Sequence, residues 1–291
     1  MSNYLDSEDI GKSDFEVLPS ATANAVEIFK ILTALQTLPR TSGLLQRKSN
    51  DETDTQFLIT TAINMVEMTT TLFRKNDTAS PILTAAWLSL INEKAKQIVL
   101  TREVPVFLKL SEEVLRSVAK KSLQLDQMKY LSTVLERDHG VLLIYEHSFP
   151  GMKTDACTFK LSNGTPVIGM SLRYNRYDYF WFTLLHELSH IALHYDYLDQ
   201  VIFDNLDEDG TTDIEIEADR MASEALIPRN IWRKILLHKT SFEHLTRFAQ
   251  DAEIHPSIAA GMVRNRTKNF AMYSDIVNSI DLKGELGMHN D

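Results

Sequence analysis

His186-Glu187-Leu188-Ser189-His190 fixes both a helix and a face of that helix. The motif lies in the most apolar window of the chain, Tyr179 to Leu193, within the run Phe182-Thr183-Leu184-Leu185-His186-Glu187-Leu188-Ser189-His190. Residues four apart on an α-helix are turned by about 40° and stand one turn apart, so both imidazoles point the same way. That face can hold one zinc ion, and Glu187 can reach a water there as general base. Catalytic zinc takes three protein ligands, which leaves the third to be found. His194 continues the row, but on a straight helix it sits about 12 Å along the axis from His186, and Ile191-Ala192-Leu193 offers no glycine or proline to bend it back. It is read as lying beside the site or partly exposed. The better source is Asp213-Ile214-Glu215-Ile216-Glu217-Ala218-Asp219. Glu215 and Asp219 share a face, whereas Glu217 is turned by about 200° from Glu215. Glu215 is therefore assigned as ligand and Asp219 as the carboxylate that orients a ligating histidine through its free ring N–H. The alternative phasing exchanges Glu215 and Glu217.

Around this motif the 291-residue chain reads as two halves of an α+β protein. The first 140 residues carry helical periodicity: a segment from Ser20 to Leu38, one over Phe57 to Phe73, one opening at Ser80-Pro81 and carrying Trp87, one opening at Ser111-Glu112-Glu113, and one from Asp126 to Asp138. Residues 40–55 read as a loop. At His139-Gly140 the pattern changes. Val141 to Tyr145 is a short apolar run of the kind that makes a buried strand, and Ser162-Asn163-Gly164 joins two strand-like segments as a hairpin. Helices over Asp178–Tyr195 and Thr212–Leu226 follow, separated by a loop holding Asp204, Asp207, Glu208 and Asp209. A further helix begins at Pro228, and residues 241–266 read as two short helices around Ile254-His255-Pro256.

Composition narrows the class. The single cysteine, Cys157, excludes an internal disulfide and any multi-cysteine metal site, and suits a reducing compartment. Met1 to Ile10 is acidic and polar, unlike a secretory signal, and no uncharged apolar stretch reaches about 18 residues. A cytoplasmic location is expected. The net charge of -10 opposes nucleic-acid binding by the surface as a whole.

Residues from about 130 to 270 resemble the ImmA/IrrE metallopeptidases. The likeness rests on Phe182 to His190, on Glu215 to Asp219, and on Leu226-Ile227-Pro228. It is closer to a branch related to HigA-like antitoxins and regulators, on Tyr177-Asp178-Tyr179-Phe180-Trp181-Phe182, Glu217-Ala218-Asp219 and Ile254 to Gly261, with Arg74 to Ala95 similar to the segment that precedes the peptidase there. The resemblance implies a zincin-like fold and cleavage of a repressor protein after a stress or partner signal. Its ligand pattern carries over as His186, His190 and Glu215 on Zn2+, with Glu187 as base. Two departures stand out: Trp181 occupies a place where many relatives have arginine, and residues 1–70 show no helix-turn-helix outline. Phe242 to Arg266 does have that outline, with Arg264, Arg266 and Lys268 near its end. It is read first as a packing element and second as a DNA reader.

These observations lead to a division into a helical regulatory or partner-binding region over 1–125 and a peptidase domain over 126–291. The expected activity is zinc-dependent cleavage of a partner protein, a repressor or antitoxin, in a stress, toxin–antitoxin or phage-defence system, with the substrate added as a strand along the hairpin edge. Specific DNA binding and membrane association are not expected. The alternative is a non-proteolytic regulator that uses the same scaffold to bind a toxin or DNA. His255 is placed with the catalytic residues, as a donor to the oxyanion or the leaving amine; a helix cap is its other reading. A Cys157 thiolate can be imagined to reach zinc and hold the enzyme off, against the reading of an inert core cysteine.

Overall fold

The structure, a computed structural model, describes residues 19–72, 81–204, 212–235 and 241–288. Met1 to Ile10 and most of the acidic loop, including Asp207, Glu208 and Asp209, lie outside the described residues. The chain is α+β. Its front half supplies α1 (Pro19–Gln36), α2 (Asp54–Leu72), α3 (Pro81–Thr101), α4 (Glu112–Lys120) and α5 (Leu131–His139). Then come β1 (Leu142–Tyr145), β2 (Ala156–Lys160), β3 (Pro166–Met170), α6 (Tyr177–His194), β4 (Ile202–Asp204) and α7 (Asp213–Leu226). The C-terminal part adds α8 (Arg229–Ile235), α9 (Phe242–Asp251), α10 (Pro256–Thr267), α11 (Ser274–Val277) and α12 (Leu282–Glu285). The segment expected as one helix from Asp126 begins with tight 3-10 turns over Leu125–Tyr130 before α5, and residues 40–47 form two more such turns.

The strands form one mixed sheet in the order β1-β3-β2-β4, with β1 parallel to β3 and the other pairs antiparallel. The β2–β3 pair is the expected hairpin. The sequence reading missed β4, which pairs with β2 at Ala156 to Thr158 and so covers the hairpin edge expected to receive a substrate strand. With only three residues, two of them apolar, β4 lacks the alternation that announces a strand.

Because strand side chains alternate, each strand feeds two cores. Leu143, Ala156, Ile168 and Met170 pack with α6, whereas Leu142, Ile144, Cys157, Phe159 and Val167 pack with α3 and the front helices. Gly169 on β3 lets α3 approach: a Cβ there would stand 2.3 Å from Ile91 Cδ1. Trp87 is fully buried and donates its indole N–H to the Glu146 carbonyl at 2.9 Å. The buried Glu146 side chain pairs with Lys94 at 2.6 Å and Arg47 at 3.3 Å. One buried carboxylate thus ties two front segments to the end of β1.

Gly140 closes α5 at φ +67° and turns the chain into β1. A Cβ at that position would meet the Pro105 carbonyl at 2.5 Å, so both conformation and space require glycine. α4 belongs to the core around α6 through Leu115, Val118 and Ala119. From α4, Arg116 donates to the carbonyls of Ala225 and Leu226 at the end of α7, at 3.0 and 2.9 Å, and to that of Ala252 after α9. A cation at the ends of two helices satisfies carbonyls that have no partner in their own helix and opposes the helix dipole. The pair α9 and α10, which carries the helix-turn-helix outline, buries Leu245, Phe248, Ala249, Ile258, Ala259, Ala260 and Val263 in the core around α6. It is a packing element. No described helix is long and apolar enough to cross a membrane.

Arg116→Ala leaves three helix-end carbonyls without this donor. It is expected to lower unfolding free energy by about 3 kcal/mol, measured by denaturant titration, whereas Arg116→Lys should recover only part of that loss.

Candidate metal centre

α6 is helical over eighteen residues without glycine or proline and is apolar on most sides, so fifteen of them are buried. α7 begins with Asp213 and Glu215 in its first turn, which suits the positive end of the helix dipole. It lays Ala218, Met221, Ala222, Ala225 and Leu226 inward at helical spacing. Those small residues bring α7 close enough for its acidic turn to reach the histidine row of α6.

Three donor atoms converge there. His190 Nε2 is 2.9 Å from His186 Nε2, and Glu215 Oε2 is 3.1 Å from His186 Nε2 and 3.4 Å from His190 Nε2. Four-coordinate zinc with ligand distances of about 2.0–2.1 Å separates neighbouring tetrahedral ligand atoms by about 3.3 Å. The three spacings therefore bracket one face of such a tetrahedron. The donor chemistry agrees. A proton on His186 Nε2 can be shared with one neighbour, but a cation among the three atoms satisfies all of them. Among the described residues, His186, His190 and Glu215 bring their ligand atoms within 4.8 Å of one another.

The surroundings hold the donors in place. His186 Nδ1 donates to Asp219 Oδ1 at 2.8 Å, which fixes the ring's orientation and leaves Nε2 facing Glu215 and His190. His190 is fully buried and His186 nearly so, whereas the Glu215 side chain is one-fifth exposed. Burial pushes the Glu215 carboxyl upward, but its contacts with His186 and His190 outweigh it and hold the group down at about 2. Burial also lowers His190. Glu187 is fully buried between α6 and β2, and its Oε2 accepts from Thr158 Oγ1.

The structure brings together His186, His190, Glu215 and Asp219 in the phasing with Glu215 inward. Glu217 is not idle on the other side: its carboxylate reaches His194 Nε2 at 3.1 Å, and His194 Nδ1 lies 3.1 Å from His190 Nδ1. His255 takes its other reading, the helix cap. It caps α10, with Nδ1 accepting from the Ser257 N–H, and its ring packs edge-on against Tyr177 at 5.2 Å between centroids. Tyr177 opens α6 nine residues before His186, about 13 Å along the helix. Proline at the next position favours the cap, and that location keeps His255 from the donor cluster. Cys157 is the inert core cysteine of its first reading. Strand alternation turns it to the α3 face, where burial pushes its thiol well up and it fills the front core. Trp181, in the place where arginine was expected from the resemblance, is fully buried against Tyr177 and Phe180. Sequence reasoning missed Thr158: a threonine in a strand is ordinary, and only the packing of β2 against α6 gives it a carboxylate partner.

A small mixed sheet, a buried His-Glu-x-x-His helix and an acidic helix that completes a three-donor cluster define a metallopeptidase-like domain. Residues 136–262 match the sequence model of the IrrE N-terminal-like domain, Peptidase_M78, which supports the likeness to the ImmA/IrrE family over that part of the chain. No curated protein matches the chain significantly.

One metal ion per chain is expected by elemental analysis of the protein purified in zinc. His186→Ala/His190→Ala should abolish binding, and Glu215→Gln should weaken it by at least tenfold. Full metal content in the double variant would place the ion elsewhere.

Proposed function

We propose that the chain is a zinc-dependent endopeptidase that cleaves a partner protein. The observation that carries the reading is the convergence of His186 Nε2, His190 Nε2 and Glu215 Oε2 within about one tetrahedral face, on the helix that also carries buried Glu187. When bound, zinc acts as a Lewis acid on the scissile carbonyl and makes water acidic near neutral pH. His186, His190 and Glu215 hold the ion, and Asp219 keeps His186 in the tautomer that offers Nε2. Glu187 takes a proton from the attacking water and returns it to the departing amine. Thr158 holds Oε2 of that carboxylate, which limits the rotamers available to the base.

The sheet has two outer edges, β1 and β4, and a substrate peptide joins it at β4, the one beside hairpin strand β2. The partner is a repressor or antitoxin of a stress, toxin–antitoxin or phage-defence system, and the reaction takes place in the cytoplasm. Residues 1–125 recruit that partner or restrain the site. A free, buried cysteine, the acidic net charge and the packing role of α9 and α10 support this setting over specific DNA binding.

One observation favours a second reading. His186, Glu187 and His190 are all 2% exposed or less, as in a metal site that only holds structure. In that case the chain is a regulator that binds a toxin without cutting it. Glu187→Gln separates the two. It should retain zinc and hold the partner, while the zinc-loaded wild-type protein cleaves that partner and loses activity on chelation. Intact partner after prolonged incubation with fully loaded wild-type protein would leave the regulator.

A further inference from the structure

We propose that His194 and Glu217 form a hydrogen-bonded relay that sets His190 as a metal ligand. The proposal rests on the metal-site reading above and concerns residues that do not touch the metal position. The contacts run in series. His190 Nε2 faces His186 and Glu215, His190 Nδ1 is 3.1 Å from His194 Nδ1, and His194 Nε2 is 3.1 Å from Glu217 Oε2.

A neutral imidazole has one N–H and one lone pair, and a carboxylate only accepts. Glu217 therefore requires the His194 proton on Nε2, which leaves a lone pair on His194 Nδ1. His190 must then donate from Nδ1, and its lone pair is left on Nε2, directed at the converging donors. The opposite assignment fails at a specific contact. With its proton on Nε2, His190 would present a lone pair at Nδ1; His194 would have to donate from Nδ1 and would set its own lone pair against the Glu217 carboxylate at 3.1 Å. With both rings neutral, only the first assignment satisfies every link and also prepares His190 to bind a cation. Asp219 does the same for His186 from the other end of the cluster. The two ligating rings are thus each oriented from the far side by an acidic residue of α7, one directly and one through His194.

Burial sets the relative weights. The His194 side chain is 4% exposed and cannot substitute water for either partner, whereas that of Glu217 is 55% exposed and can. His194 is the positioning residue and Glu217 its anchor.

The test is the affinity of the full chain for Zn2+, measured by competition with a chromogenic chelator, beside the melting midpoint of the metal-free protein. Removal of a group that orients a metal ligand commonly weakens binding 10- to 100-fold. His194→Phe, which fills the space without accepting, should show a loss of that size. His194→Asn, whose side-chain oxygen can accept from His190, should recover most of it, and Glu217→Leu should cost a few fold. The metal-free midpoints should match that of wild type. In the zinc-loaded wild-type protein, 15N spectra of the histidines should show His194 protonated on Nε2. Wild-type affinity in His194→Phe, a parallel fall in the metal-free midpoint, or a proton on His194 Nδ1 would each overturn the relay. A wild-type protein that takes no zinc would overturn the metal reading itself, which distinguishes that failure from this one.

Discussion

Two imidazole nitrogens facing each other at 2.9 Å inside a helix interface impose a condition on the residues around them. Placing lone pairs together in a low-dielectric interior is costly unless a proton or a cation lies between them. α7 answers that condition. It places Glu215 against both nitrogens and Asp219 behind one ring, and its small inward residues allow the approach. Arg116 in turn joins the far end of α7 to α4 and to the end of α9. The polar cluster therefore depends on apolar packing for its geometry, and the packing of two helices depends on a cluster that leaves no charge stranded between them.

The chemistry was legible because its period is the period of a helix. His186 and His190, then Glu215 and Asp219, are both four residues apart, and each spacing names a face without knowledge of the other helix. The relation between the helices was less legible. Helical geometry turns Glu217 away from Glu215 and suggests that it plays no part, but a glutamate has three side-chain torsions and reaches His194 from that position. His255 shows the opposite limit: histidine before proline carries both a cap and a proton donor in its chemistry, and only its place at the start of α10, against Tyr177, decides for the cap.

The fold divides in the same way. Segments with long periodic patterns, such as α2, α3 and α6, could be located to within a few residues. β4 could not, since three residues have no period, and its pairing with β2 is a tertiary event. The face to which Cys157 turns was open for a related reason. A strand presents alternate residues to opposite faces, and the sequence shows the alternation without saying which face meets α6. Once Thr158 is set against Glu187, Cys157 has to point toward α3.

That alternation makes β2, like β1 and β3, an element shared by the two cores, and the one that touches Glu187. Thr158 touches Glu187 on one face, while Cys157 and Phe159 fill the front core on the other. The strand cannot slide to transmit a signal, because a one-residue slip would exchange the two faces and break pairing with both β3 and β4. α4 touches α6 and α7 directly, whereas an influence of α1 to α3 on the site can pass through small tilts or shifts of β2 as a whole. Buried Glu146, joined to Lys94 and Arg47 and with its carbonyl accepting from Trp87, restrains such shifts at the end of β1. A partner that controls the site through the front helices must therefore bind one position of that docking better than another, since a ligand with equal affinity for both shifts nothing. Along β2, the residues through which such a preference would reach the chemistry are few: Phe159 and Cys157 on one side of the strand, Thr158 and then Glu187 on the other.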